Sequence, residues 1–391
     1  MARLARVEVF APDEVAVVHV MNRVVRRCFL LGDDPVTGKN YDHRKQWIEG
    51  LLRRFAASFG IDLLSFAILS NHFHLILRSR PDVVGTWDDA EVARRWLMLC
   101  PVRKTPEGLP AEPNESEIDT IQNDPRKLAA VRLRLSDIGW WMRLLCQQVA
   151  TRANRDDGET GKFFQSRYRA VRLLDEQALL ACAAYVDLNP IRAAMAETLE
   201  TSDYTSAQRR IQGMKTSRTN AAANSKTLPA DAATTRREEM KNRDISAKRT
   251  AVGASVPGTF VPDGFLSPVA LEERTGNVGP VPSKSGLRCS DKGFLPISQE
   301  DYLMLLDWTS RQTATGKRGA TPKALRPIFE RLALDPKVWS NLVGSFGKLF
   351  YNVAGLPETI EATTSRLTNR QYYVSRAART VFSSTEKTSS A

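Results

Sequence analysis

The sequence predicts an α+β fold, an antiparallel sheet with helices packed on one face. Three observations point there. Residues 14–20 read as a strand, and a second apolar run follows from Val24 to Leu31. Ile48, Leu51, Leu52, Phe55 and Phe59 recur at helical spacing across 42–59. Residues 63–69 and 75–77 are apolar and lie on either side of Ser70-Asn71, which reads as a hairpin with a tight turn.

The helix over 42–59 stops at Gly60. Residues 81–127 are rich in Pro, Glu and Asp, with one short amphipathic piece from Val92 to Leu99, and read as an irregular insertion. A second helix is expected from Leu128 to Asn154, with Leu133, Leu135, Ile138, Trp141, Met142, Leu145 and Val149 as its apolar positions. Glu176 to Leu188 is Ala-rich and helical in pattern, and Pro190 ends or kinks that helix at Asn189.

Residues 1–204 are therefore expected to form the main domain. Residues 205–295 change character, being basic and poor in large apolar side chains, and are expected to be a disordered linker. Structure is expected to resume as a small helical domain over 296–382. Ser298 would cap a helix through Tyr302, Leu305 and Trp308, and a further helix runs from Val338 to Phe350. Residues 383–391 read as a disordered tail.

Composition narrows the function. Lys and Arg total 56 and Asp and Glu 44 in 391 residues, a formal charge of +12 that suits a polyanion such as nucleic acid. The five cysteines are widely spaced with no CxxC pair, so neither a zinc knuckle nor a disulfide framework is indicated. The chain has neither an apolar N-terminal signal region nor a run of 18 apolar residues, so a soluble, cytoplasmic protein with no membrane span is expected.

Only four histidines occur, and His72 and His74 flank Phe73. On a strand these two share a face, about 6–7 Å apart along the chain. Two neutral imidazoles so placed can hold a divalent metal; they can equally be two satisfied histidines on a sheet face. His19, on the first strand, is structural filler or a lining of the same site. Lys162, Phe163, Phe164, Gln165, Ser166, Arg167 and Tyr168 interleave basic and aromatic side chains. Such a stretch suits a single nucleic-acid strand, with cations on phosphates and rings on bases; alternatively its Phe residues plug the core. Arg23, at the end of the first strand, joins the candidate DNA-binding set of Lys162, Phe164, Gln165, Arg167 and Tyr168. Tyr185 and Asn189 are four apart and share a helical face, so a hydroxyl and an amide can reach one site. A core-edge Tyr and a helix-ending Asn are the plainer reading.

Taken in order, Asn71-His72-Phe73-His74-Leu75, Phe163-Phe164-Gln165-Ser166-Arg167-Tyr168 and Tyr185-Val186-Asp187-Leu188-Asn189-Pro190-Ile191-Arg192-Ala193 resemble the single-tyrosine HUH transposases, most closely the REP-associated kind. Asp203-Tyr204-Thr205-Ser206 resembles a stretch that follows in relatives. Where the family has Gly after its Asn-Pro block this chain has Ala194, and the region 81–127 is longer than in compact relatives. The resemblance spans about residues 13–210. It implies a ferredoxin-like antiparallel sheet carrying the histidines and a helix carrying the tyrosine. It further implies Mg²⁺ or Mn²⁺ held by His72, His74 and Asn189, Tyr185 as nucleophile, and a 5′-phosphotyrosine intermediate on single-stranded or hairpin DNA. A homodimer is compatible with it. Tyr168 and Tyr204 are rival nucleophiles; pairing with Asn189 favours Tyr185. Two other classes stand beside this one. One is a non-catalytic protein that binds DNA hairpins or repeats as a regulator. The other is a metal hydrolase unrelated to DNA, which the charge and the aromatic–basic loop disfavour.

Overall fold

The structure, a computed structural model, describes residues 10–11, 13–226, 261–271, 279–312, 326, 335–366 and 372–380. Its strands are β1 (Val17–Arg23), β2 (Ile61–Ile68), β3 (His72–Ser79), β4 (Arg169–Leu173) and the short β5 (Val353–Ala354). Its helices are α1 (His43–Ser58), α2 (Pro81–Val84), α3 (Asp89–Leu99), α4 (Glu115–Gln122), α5 (Pro125–Leu135), α6 (Ile138–Asp157), α7 (Glu176–Asp187), α8 (Asn189–Arg192), α9 (Ser206–Lys226), α10 (Gln299–Arg311), α11 (Pro336–Leu349) and α12 (Pro357–Arg366).

The sheet runs β2-β3-β1-β4-β5. The first four strands are antiparallel to their neighbours, and only β5 adds in parallel, to β4. With helices connecting β1 to β2 and β3 to β4, this is the expected ferredoxin-like order. The β2–β3 turn falls at Ser70-Asn71, closed by Leu69 N donating to His72 O at 2.8 Å. The run at 24–31 does not continue as a strand. Val24 N donates to Asn71 O, and Arg26 and Arg27 take left-handed φ of 52° and 63°, which turns the chain away from the sheet.

Alternation along the strands gives the sheet two apolar faces. One carries Val18, Val20, Phe73, Leu75 and Leu77 and is covered by α1 and α6 through Ile48, Leu52, Phe55, Trp141 and Leu145. The other carries Ile76, Val171 and Leu173 and is covered by α7, α10 and α11 through Leu180, Ala184, Leu305, Trp339 and Val343. Helices on one face were expected, and the crossover helices do share a face. The second layer is added by α7 and the C-terminal segments.

Residues 81–127 are more regular than their composition predicts. Local caps make the difference: Asp88 caps α3, an Asn114–Glu117 capping box starts α4, and Asp124 with Pro125 starts α5. The single helix expected over 128–154 is two, because Asp137 caps a new start. Where a linker from 205 was expected, Ser206–Lys226 is helical and 261–271 and 279–298 pack along the β2 edge. Ser267 N donates to Leu63 O at 3.0 Å, and the buried Asp62 accepts from Arg78, Arg80 and Ser290. These segments bury Phe265, Leu266, Phe294 and Leu295 without periodicity, so no sequence pattern marks them. Residues 227–260 and 272–278 of the expected linker and the expected tail 383–391 lie outside the described residues. The Ser298 cap and the helix from Pro336 match expectation, but their apolar faces merge with that of α7 instead of closing a core of their own. Among the described residues no helix is long and apolar enough to cross a membrane.

Candidate active site

Strand β3 presents His72 and His74 on the face covered by α7, while Phe73 points into the opposite core, fully buried. Their rings are 4.9 Å apart, centre to centre. Register sets the neighbours: Arg23 lies opposite His72, Met21 opposite His74, and His19 opposite Ile76.

Helix α7 begins where Asp175 accepts from Ala178 N, and its alanines allow close approach to the sheet. Tyr185 stands in its last turn. Asn189-Pro190 then opens α8, with Pro in the first turn where no amide donor is needed. Asp187, wholly buried, accepts from Ser206 Oγ, Ala207 N and Tyr302 Oη and so locks this corner in place. As a result Asn189 Nδ2 lies 3.3 Å from His74 Nε2, and the Tyr185 ring sits 5.5 Å from the His74 ring, nearly perpendicular. Tyr185, His72, His74 and Asn189 are thus brought together.

Burial holds all three clustered histidines neutral. Desolvation and the nearby Arg169 lower His19 to about 3, and desolvation and Arg23 lower His72 to about 4. Burial, then its histidine neighbours, depress His74 as well. Burial also raises Tyr185, outweighing the opposite pull of Asn189. The phenol is therefore protonated at neutral pH.

The donor set fits a divalent cation. Asn71 Oδ1 can only accept, so its 2.6 Å contact puts the His72 proton on Nδ1 and leaves a lone pair on Nε2. His74 Nδ1 is engaged by His19 Nε2 at 2.9 Å, and its Nε2 faces Asn189. Turning the Asn189 amide about its last bond brings an oxygen to the same place. Among the described residues no three His, Cys, Asp or Glu side chains converge as a metal site; the Asn189 amide oxygen is the candidate third ligand beside the two histidines.

The candidate DNA-binding residues divide. Lys162, Gln165 and Arg167 are exposed on the loop before β4, and Gln165 N donates to Arg23 O, which ties that loop to the end of β1. Phe164 is half-buried, edge-on to Phe73 and Phe163. Tyr168, just before β4, is 7% exposed and packs into the core beneath. Tyr204 packs against that same far core, between Lys45 and Arg209, and does not join the histidines.

Four contributors were not anticipated from sequence. Phe346 stacks on Tyr185 at 5.8 Å, and Gly347 and Phe350 complete a cavity of about 20 Å³ with His19, His74 and Arg169. Arg169 in turn donates to the Phe350 carbonyl at 2.7 Å, at the end of α11. The helical pattern over 338–350 was visible; nothing in it indicated which surface it covers.

No family model matches the chain. No curated protein matches it either. A solved structure of a REP-associated tyrosine transposase bound to a REP hairpin is similar at 11% identity, over 54% of this chain and 86% of that one, with a TM-score of 0.32.

Proposed function

We propose that this chain is a metal-dependent endonuclease and strand transferase for single-stranded or hairpin DNA, working in DNA transposition, with Tyr185 as nucleophile. What supports the reading is the meeting of His72 and His74 from β3 with Tyr185 and Asn189 from α7 and α8 on one sheet face. The +12 charge and the exposed Lys162 and Arg167 beside Arg23 suit a DNA strand led to that point.

His72 Nε2, His74 Nε2 and the Asn189 amide oxygen would hold Mg²⁺ or Mn²⁺, which when bound supplies Lewis-acid neutralisation of the phosphate oxygens. Tyr185 Oη attacks the phosphorus, forming a phosphotyrosine ester as the bond to the 3′ oxygen breaks. The phenol proton passes to water, and the released 3′ oxygen takes up a proton to become a free hydroxyl. Because burial keeps the phenol protonated, proton loss accompanies attack. The ester conserves the phosphodiester, so a second 3′-hydroxyl can reverse the step without ATP.

One observation favours a second reading, a non-cleaving protein that binds the same DNA: Phe346 covers one face of the Tyr185 ring, with centres 5.8 Å apart. Incubation with single-stranded hairpins and Mn²⁺, followed by denaturing gels, separates the two. Covalent protein–DNA adducts that disappear in Tyr185→Phe and in His72→Ala support the transferase. Hairpin binding without any adduct supports the binder.

A further inference from the structure

His19 and His74 are diagonal neighbours on adjacent strands, close enough for their rings to meet. The rings are nearly coplanar, 9° apart, with centres separated by 5.2 Å and the facing nitrogens by 2.9 Å. The centre-to-centre distance is the nitrogen contact plus the radii of two imidazoles. The nitrogens therefore lie on the line joining the rings and aim at each other. Two ligands of one metal would instead both aim at a third point. The geometry is that of an N–H···N hydrogen bond, which needs one donor and one acceptor.

The other side of His74 decides which is which. A cation held at His74 Nε2, the nitrogen that faces the Asn189 amide, needs the lone pair there, which puts the proton on Nδ1. His19 Nε2 is then the acceptor. His72 reaches the same tautomer through Asn71. We infer that His19 is a positioning residue: by accepting from His74 Nδ1, it fixes the tautomer and plane that aim His74 Nε2 at the cation. This role rests on the metal reading proposed above. A buried imidazole would then do for His74 what a carboxylate or carbonyl often does for a metal-binding histidine.

The test uses the intact chain and Mn²⁺ alone, with affinity measured by calorimetry and by the decrease of the free-ion EPR signal. His19→Phe keeps the ring volume and removes the acceptor. His19→Gln returns an oxygen near the Nε2 position. The expected result is a Mn²⁺ affinity lower by about 10- to 100-fold in His19→Phe and restored in His19→Gln, with the thermal melt as the check on folding. His19→Phe binding as tightly as wild type would overturn the inference, as would equal losses in both variants. Wild-type protein that binds no Mn²⁺ would remove the metal reading and this inference together; a variant difference without that failure concerns His19 alone. A second readout needs no variant. The chain has four histidines, so a spectrum with only histidine ¹⁵N-labelled has four rings to assign. His74 is expected in the Nδ1–H form, and an Nε2–H form would overturn the inference.

Discussion

The Tyr302 hydroxyl donates a 2.7 Å hydrogen bond to Asp187, joining the C-terminal helix α10 to the helix that carries Tyr185. Asp187 is wholly buried two residues from the tyrosine and two from Asn189, and burial pushes its carboxyl up. Tyr302→Phe leaves that carboxyl one donor short. A decrease of about 1–3 kcal/mol in stability is expected, read as a lower melting temperature, with a parallel fall in adduct yield as the corner between α7 and α8 loosens. An unchanged melt would mean that the bond contributes nothing.

Gly347 faces the Tyr185 hydroxyl so closely that a Cβ there would lie 3.2 Å from the oxygen. Gly347→Val should push the hydroxyl aside and lower adduct formation by about 10- to 100-fold. Hairpin binding, measured by gel shift, should stay as in wild type. An equal drop in both would place the fault in folding.

On the exposed loop before β4, charge and burial separate the residues. Lys162→Ala with Arg167→Ala should weaken single-strand binding and lower the slope of log affinity against log salt by about 0.7 for each phosphate no longer neutralised. Tyr168→Phe, in the core, should leave that slope alone. A slope that changes with Tyr168 and not with the cations would reverse the assignment.

Glu49 on α1 is clamped by Arg209 of α9 and Arg53, each at 2.6 Å. Burial alone would raise its carboxyl; the two guanidiniums outweigh it and hold it below the ordinary value. A folded-state value below the unfolded one gives stability that is full above about pH 4.3 and is lost as the pH falls through the folded value. Melting temperature should therefore drop on acidification below that point. Glu49→Gln should melt lower at neutral pH and show a shallower acid dependence.

What was legible in sequence was what local periodicity carries. The alternation around Phe73 placed two histidines on one face, and the four-residue spacing of Tyr185 and Asn189 put them one turn apart, although α7 ends at Asp187 and Asn189 opens α8. The hairpin turn and the Ser298 cap are likewise short-range. His19 is different: its contact with His74 depends on the register of β1 against β3, which no local pattern states. Phe346 and Gly347 meet Tyr185 across some 160 intervening residues, and only tertiary packing decides that meeting. The burial of Tyr168 was not legible, because basic and aromatic residues interleave in the same way whether the rings face solvent or core. The segments 261–271 and 279–298 carry irregular backbone held at the β2 edge by side chains such as Asp62, Arg78 and Arg80, a kind of order that leaves no period to read.

The most direct test of Tyr185 as nucleophile is mass spectrometry of the peptide that carries DNA after reaction with a single-stranded hairpin and Mn²⁺. The expected result is a nucleotide-bearing peptide whose fragment ions place the added mass on Tyr185, absent in Tyr185→Phe. Mass on Tyr204 or Tyr168, or an adduct that persists in Tyr185→Phe, would contradict that role.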